Sequence, residues 1–214
     1  MTGDSLLDGT WRDDVLRVVV CDDHALMRRR LVVTLEADPD IAVVAEAIDS
    51  QHVVDVARRA TPDCVVLGLK VEPGGALAAA RELRAVAPGA RLVVVVSTND
   101  EAEAVQAVMA GVTGIITRES LEQTVAVVRA VASGVVAVPP LVARLLIDEM
   151  ARITAEGPGL GITERERAVL EHLAAGHSYA TAATALRMPD HTAKNLAANA
   201  IEKLVRHQLG AAET

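Results

Sequence analysis

Apolar residues along this chain follow two regimes. Between Arg17 and Ala132, short β-branched runs alternate with longer stretches in which apolar positions recur every three or four residues. The runs Arg17 to Cys21, Ile41 to Ala45, Cys64 to Leu67, Leu92 to Val96 and Gly114 to Thr117 predict five strands. Their apolar positions are continuous rather than alternating, as in a parallel sheet covered on both faces. The intervening stretches predict crossover helices: Met27, Leu31 and Leu35 repeat at a spacing of four, and Leu121, Val125 and Val128 share one face. The pattern is that of a doubly wound (βα)5 domain of the α/β class.

After Pro139-Pro140 the strands stop. Leu141 to Ile153 predicts one more helix, and Gly157-Pro158-Gly159 breaks it, marking a linker that few contacts need cross. Short helices follow. Thr163 to Glu166 has capping-box spacing, and Ala175-Gly176-His177-Ser178 reads as a turn ending in an N-cap residue. Met188-Pro189-Asp190 then separates a helix ending at Leu186 from one over 190–204, and a short fourth helix, Val205 to Thr214, is interrupted by Gly210. The expected division is an acidic tail over 1–15, the α/β domain over 16–137, a linker helix with its Gly/Pro linker over 138–160, and an all-α four-helix domain over 161–214.

Composition narrows the choice. Of 214 residues, 51% are apolar, which excludes a disordered chain. With no Phe, one Tyr and one Trp, the core falls to Val, Leu, Ile and Ala, and stacking of aromatic rings on exposed bases is not expected. No apolar run approaches the ~18 residues of a membrane span. The start, with Asp4, Asp8, Asp13 and Asp14 against Arg12, is the opposite of a basic export signal, so the protein is expected in the cytoplasm. The net charge of −8 spares the C-terminal part, where residues 158–214 carry six Lys and Arg against six Asp and Glu. Cys21 and Cys64 fall on neighbouring strands, roughly 10 to 13 Å apart at the usual rise, too far for a disulfide. Reduced, buried thiols are expected. The six His residues have no metal-ligand spacing, and Trp11 in the acidic tail has no assigned role.

The chemistry gathers at two places. Asp22-Asp23 follows the first strand at the carboxyl edge of the sheet, where doubly wound folds bind ligands and where paired acids suit a divalent cation. In 190–204, helical phase turns Ala193, Leu196, Ala200 and Leu204 inward, and His191, Lys194, Asn195, Ala198, Asn199, Glu202 and Lys203 outward. Lys and Asn side chains on one helix face suit phosphates and base edges in a major groove. Arg28-Arg29-Arg30 spans most of a helical turn, makes no single stripe, and reads as a solvated or subunit-facing surface. No Gly-rich phosphate loop follows the first strand and no nucleophile sits with a base, which argues against an enzyme.

From Arg17 to Leu204 the sequence resembles a response regulator of the NarL/FixJ type. The resemblance rests on Cys21-Asp22-Asp23-His24, Pro62-Asp63, Gly111, Gly114 and Thr163-Glu164-Arg165-Glu166. The C-terminal part resembles a LuxR-type helix-turn-helix, with Gly176, Ser178, Ala183, Leu186, Thr192, Lys194, Asn195, Asn199, Lys203 and Leu204 in register. This implies a transcription regulator that binds double-stranded DNA through His191, Thr192, Lys194, Asn195, Ala198, Asn199 and Lys203. The departures imply a degenerate phosphorylation pocket. The family's phosphoacceptor Asp falls on Gly68, its switch hydroxyl on Val96 with Ser97 and Thr98 just beyond, and its Lys on Arg118. Arg118 is expected to fork onto Asp22 or Asp23, and Val71-Glu72-Pro73-Gly74 is a shifted form of the family's loop. Without a nucleophile the receiver is expected to take no phosphate, and neither cofactor nor catalytic residue nor bound metal is expected. The receiver then serves as a pairing module, in a homodimer or in a heterodimer with a related regulator; the neutral charge and the short last helix support the heterodimer, and Pro189 at the family's Ser cap position leaves the start of the DNA-contacting helix less well secured. A small-molecule ligand stays open, with no residue to name it.

Overall fold

The computed structural model describes residues 15–156 and 159–212; Trp11 and nearly all of the acidic tail, with Gly157 and Pro158, lie outside the described residues. Five strands alternate with helices: β1 (Leu16–Cys21), α1 (Ala25–Glu36), β2 (Ile41–Ala47), α2 (Ser50–Ala60), β3 (Cys64–Gly68), α3 (Gly75–Val86), β4 (Arg91–Val96), α4 (Glu101–Met109), β5 (Gly114–Thr117) and α5 (Thr124–Ala132). A 3-10 turn over Arg118–Gln123 joins the last two. All strand pairs are parallel, in the order β2-β1-β3-β4-β5. The direction of winding therefore reverses between β1 and β3, and their carboxyl ends carry Asp22 and Gly68.

Both faces of the sheet are buried, which is why its strands are continuously apolar. Val19, Cys21, Val65, Leu67 and Val94 face the layer that includes α2, α3 and α4. Val18, Val20, Cys64, Val66, Val93 and Val95 face Met27, Leu31 and Leu35 of α1 and Val128 and Val131 of α5. Cys64 pairs with Val18 and Leu67 with Cys21, so the two cysteines stand three positions out of level and on opposite faces. Both are free and buried, and burial pushes each thiol up to about 12.

The helical part consists of α6 (Pro140–Glu156), α7 (Glu164–Ala174), α8 (Tyr179–Ala185) and α9 (Asp190–Ala212). Two expected caps form: Thr163 and Glu166 close a capping box on α7, and the Ser178 hydroxyl accepts from the Thr181 amide to start α8. Two expectations need correction. The segment 138–160 is no spacer, because α6 packs against both α4 and α7, and α9 packs against α4. Val142, Ala143, Leu146, Met150 and Ile153 recur at helical spacing along α6 and are buried, so this stripe needs a partner along its length. Nor does a separate fourth helix follow Leu204. α9 runs through Gly210 to Ala212, since one glycine costs a helix only about 1 kcal/mol and no proline enforces a break. The fourth helix of the bundle is instead α6.

Candidate functional site

At the carboxyl edge of β1 the acidic pair divides. Asp22 is fully buried, whereas Asp23 is exposed. The Asp22 Oδ1 accepts the His24 amide at 2.8 Å, and its backbone carbonyl accepts Arg28 Nη1 at 2.7 Å. Its Oδ2 is buried without a hydrogen-bond partner. Arg118 Nη2 stands 3.9 Å from that oxygen, so the expected fork does not form; the guanidinium supplies charge without a hydrogen bond. Burial raises the Asp22 carboxyl above its ordinary range, and the His24 amide and Arg118 only partly oppose it. Gly68 explains where the orphan oxygen sits. A Cβ at position 68 would lie 2.5 Å from Asp22 Oδ2, so the carboxylate occupies space that any side chain there would claim.

Val96 ends β4 as a buried apolar residue opposite Thr117, and Ser97 beyond it uses its amide to bond Asp100 Oδ2 at 3.2 Å. Asp63 lies at the other end of the sheet, where its Oδ2 accepts the Arg17 amide at 2.8 Å. A divalent cation does not fit these residues: one acid is exposed, the other meets a glycine, and no group of three acidic, His or Cys ligands exists among the described residues. Sequence reasoning missed a neighbouring pair, Lys70 Nζ with Asp100 Oδ1 at 2.7 Å. The Lys70 hydrogen bond holds the Asp100 carboxyl below its ordinary range. Asp100 sits immediately before α4, a position a capping scan finds, but its partner is thirty residues away in sequence.

The second site is α9. His191, Asn195 and Asn199 are exposed on one face, Thr192 is half-buried, and Lys194 pairs with Asp190 at 2.5 Å one turn back. Three outward assignments change. Lys203 turns to its own domain: Nζ bonds Glu166 Oε1 at 2.9 Å, Glu166 Oε2 at 2.8 Å and the Gly161 carbonyl at 2.7 Å. The buried Glu166 carboxylate, already in the α7 cap, needs a counter-charge, and a long flexible side chain at 203 reaches it. Ala198 and Glu202 face the receiver across a cleft that Ile201 and Val205 also line. The outward row therefore splits, and the part free of the α/β domain is His191, Lys194, Asn195 and Asn199. Sequence reasoning also missed Tyr179, whose hydroxyl donates to the Val136 carbonyl at 2.7 Å and ties α8 to the end of the α/β domain. His172 and His177 bring their Nδ1 atoms to 3.1 Å, one donor and one acceptor, with no third metal ligand among the described residues.

A five-stranded parallel sheet with an acid at the carboxyl end of its first strand, followed by a helical segment, is the architecture of a signalling receiver joined to an output domain. Residues 18–129 match the response regulator receiver domain, and the chain belongs to that family. It is 31% identical to the nitrate/nitrite response regulator protein NarP of Escherichia coli, over 91% of this chain and 92% of that protein. It is 27% identical to the DNA-binding transcriptional activator DevR/DosR of Mycobacterium tuberculosis, over 89% of this chain and 88% of that protein. Among solved structures it is similar to a two-component response regulator of the LuxR family from Aurantimonas sp. SI85-9A1, with 30% identity and a TM-score of 0.59, covering 64% of this chain and 99% of that one. No helix among the described residues is long and apolar enough to cross a membrane.

Proposed function

We propose that this protein is a DNA-binding transcription regulator whose receiver works without phosphorylation of an aspartate. The observation that carries the reading is Gly68 at the end of β3, with Asp22 Oδ2 filling the space of the missing side chain. Phosphoryl transfer to a receiver needs a carboxylate nucleophile, a cation held by it and its acidic neighbours, and a second positive group for the new charge. Here the first is absent and the second has no ligand set. The test is incubation with acetyl phosphate and Mg2+: no acid-labile phosphate is expected, and stoichiometric label on any Asp refutes the reading.

Output is assigned to α8 and α9 as a helix-turn-helix, with His191, Lys194, Asn195 and Asn199 entering the groove. Of two relatives that each match about nine-tenths of the chain, one is named a response regulator and the other a DNA-binding transcriptional activator, which supports this assignment. The receiver is the pairing module, and the operator has two half-sites. A second reading draws on a specific observation: Lys194 is paired with Asp190 and Lys203 with Glu166, so the face offers little free positive charge to phosphates. On that reading the protein pairs with a more basic regulator and binds DNA weakly alone. Sedimentation of the full chain with and without candidate partners, alongside gel shifts, separates the two: a self-sufficient homodimer supports the first, a mixed dimer the second.

A further inference from the structure

The seam between the receiver and α9 holds a cleft of about 330 Å3, large enough for a small ligand. The end of α3, the start of β4 and the loops before β5 and after α5 form one wall, and α9 forms the other. Three polar groups on the receiver wall lack an adequate partner. Arg84 and Arg91 line the cleft, and neither pairs with a carboxylate among the described residues; Arg84 Nη1 reaches only the Ala110 carbonyl, at 3.4 Å. Gly111 makes room for that guanidinium, since a Cβ there would lie 2.6 Å from Nη1. The third group is Thr113 Oγ1, buried and without a partner although the Thr113 amide and carbonyl are both bonded. A buried hydroxyl left unpaired is costly.

Between these groups the lining is apolar, with Leu92 and Val136 on the receiver and Ile201 and Val205 on α9. Glu202 is the one acid on the lining, and its carboxylate pairs with Arg206 at 2.8 Å, which leaves the positive charge of the receiver wall uncompensated. The geometry points to a binding site for a small organic anion with an apolar body, its carboxylate on Arg84 and Arg91 and its body between the β4 end of the receiver and α9. Guanidinium groups suit a carboxylate because they present paired donors in a plane.

Both walls are needed, so the anion binds only the arrangement in which α9 lies against the receiver. A major groove about 12 Å wide encloses both flanks of the helix it takes in, so α9 cannot present His191, Lys194, Asn195 and Asn199 to DNA while Ala198 and Glu202 beside them lie against the receiver. The anion is therefore a negative effector of DNA binding, a consequence that rests on the proposed role of α9, whereas the site itself does not.

The test titrates the full-length protein with 3-phenylpropionate and octanoate, and with 3-phenylpropanol and octanol as uncharged controls, by calorimetry and by DNA gel shift. The carboxylates bind at one per chain, and the alcohols and the Arg84→Gln/Arg91→Gln double variant bind at least about tenfold more weakly. Thr113→Val, which removes the orphan hydroxyl at nearly constant volume, melts at a higher temperature without ligand. At ten times its Kd, a carboxylate lowers DNA affinity about elevenfold, because it competes through the closed state. Carboxylates that fail to bind, that the alcohols match, or that the double variant holds as well, overturn the site. Binding without loss of DNA affinity overturns its regulatory role. Binding by a protein that never retains DNA leaves the site standing and refutes the function assigned to α9.

Discussion

Replacing Lys203 by Ala separates a structural role from a DNA-binding one. The Lys203 ammonium makes three contacts of 2.7 to 2.9 Å, two of them to Glu166, whose side chain is only 4% exposed. Glu166 also accepts the Thr163 amide at 2.7 Å, so the pair ties the α7 cap to α9. Breaking a fully buried pair by removing one partner costs about 3 to 5 kcal/mol. Lys203 itself is 29% exposed, and water entering after truncation solvates the carboxylate, so a loss of about 2 to 3 kcal/mol is expected. In a chain of this size that lowers Tm by roughly 4 to 12 °C. The pH dependence carries a further signature. Burial pushes the Glu166 carboxyl up, but Lys203 and the Thr163 amide and hydroxyl outweigh it and hold the group below its ordinary 4.5. A depressed carboxyl stabilises the fold above 4.5 and loses that stabilisation as pH falls through its folded value. In Lys203→Ala burial dominates, so the gap between wild type and variant is full at neutral pH and narrows on acidification. Urea melts from pH 4 to 7 measure this, with salt-dependent gel shifts beside them. Lys203→Ala keeps the salt slope of the wild type, whereas Lys194→Ala lowers it by about one. A Lys203→Ala variant that melts like wild type but loses one unit of salt slope refutes the reasoning and returns Lys203 to the groove.

Asp22→Asn is expected to stabilise the protein at neutral pH, since a carboxyl raised by burial destabilises the fold once pH rises above its folded value; the gain shrinks toward pH 3.8 in urea melts. Gly68→Asp drives a Cβ to 2.5 Å from Asp22 Oδ2 and brings two carboxylates together, so a loss of about 1 to 3 kcal/mol is expected, and Mg2+ raises the melting temperature of this variant but not of the wild type. Tyr179→Phe removes the 2.7 Å bond to the Val136 carbonyl, worth about 0.5 to 1.5 kcal/mol, and small-angle scattering is expected to find a larger radius of gyration as the seam loosens.

Local pattern determined much of this protein. Continuous β-branched runs specify strands buried on both faces because Val and Ile suit a pleated surface, and the spacing of Met27, Leu31 and Leu35 specifies the helix that covers one of them. Caps such as Thr163 with Glu166 are legible because both partners lie within one turn. That position 68 carries no side chain was equally plain, being a property of one position. What the sequence left undecided is where groups go when their partners are distant along the chain. Adjacent acids at 22 and 23 look equivalent as text, yet the fold buries one and exposes the other. Helical phase puts Lys203 outward, but a flexible side chain follows the strongest available charge, and Glu166 is thirty-seven residues away. The docking of α6 and α9 on α4, and the splitting of the outward row of α9 that results, depends on shape matching between surfaces that share no local pattern. Such choices are made by the whole packed structure, because the energies that decide them, desolvation and charge pairing, exist only once remote groups have been brought together.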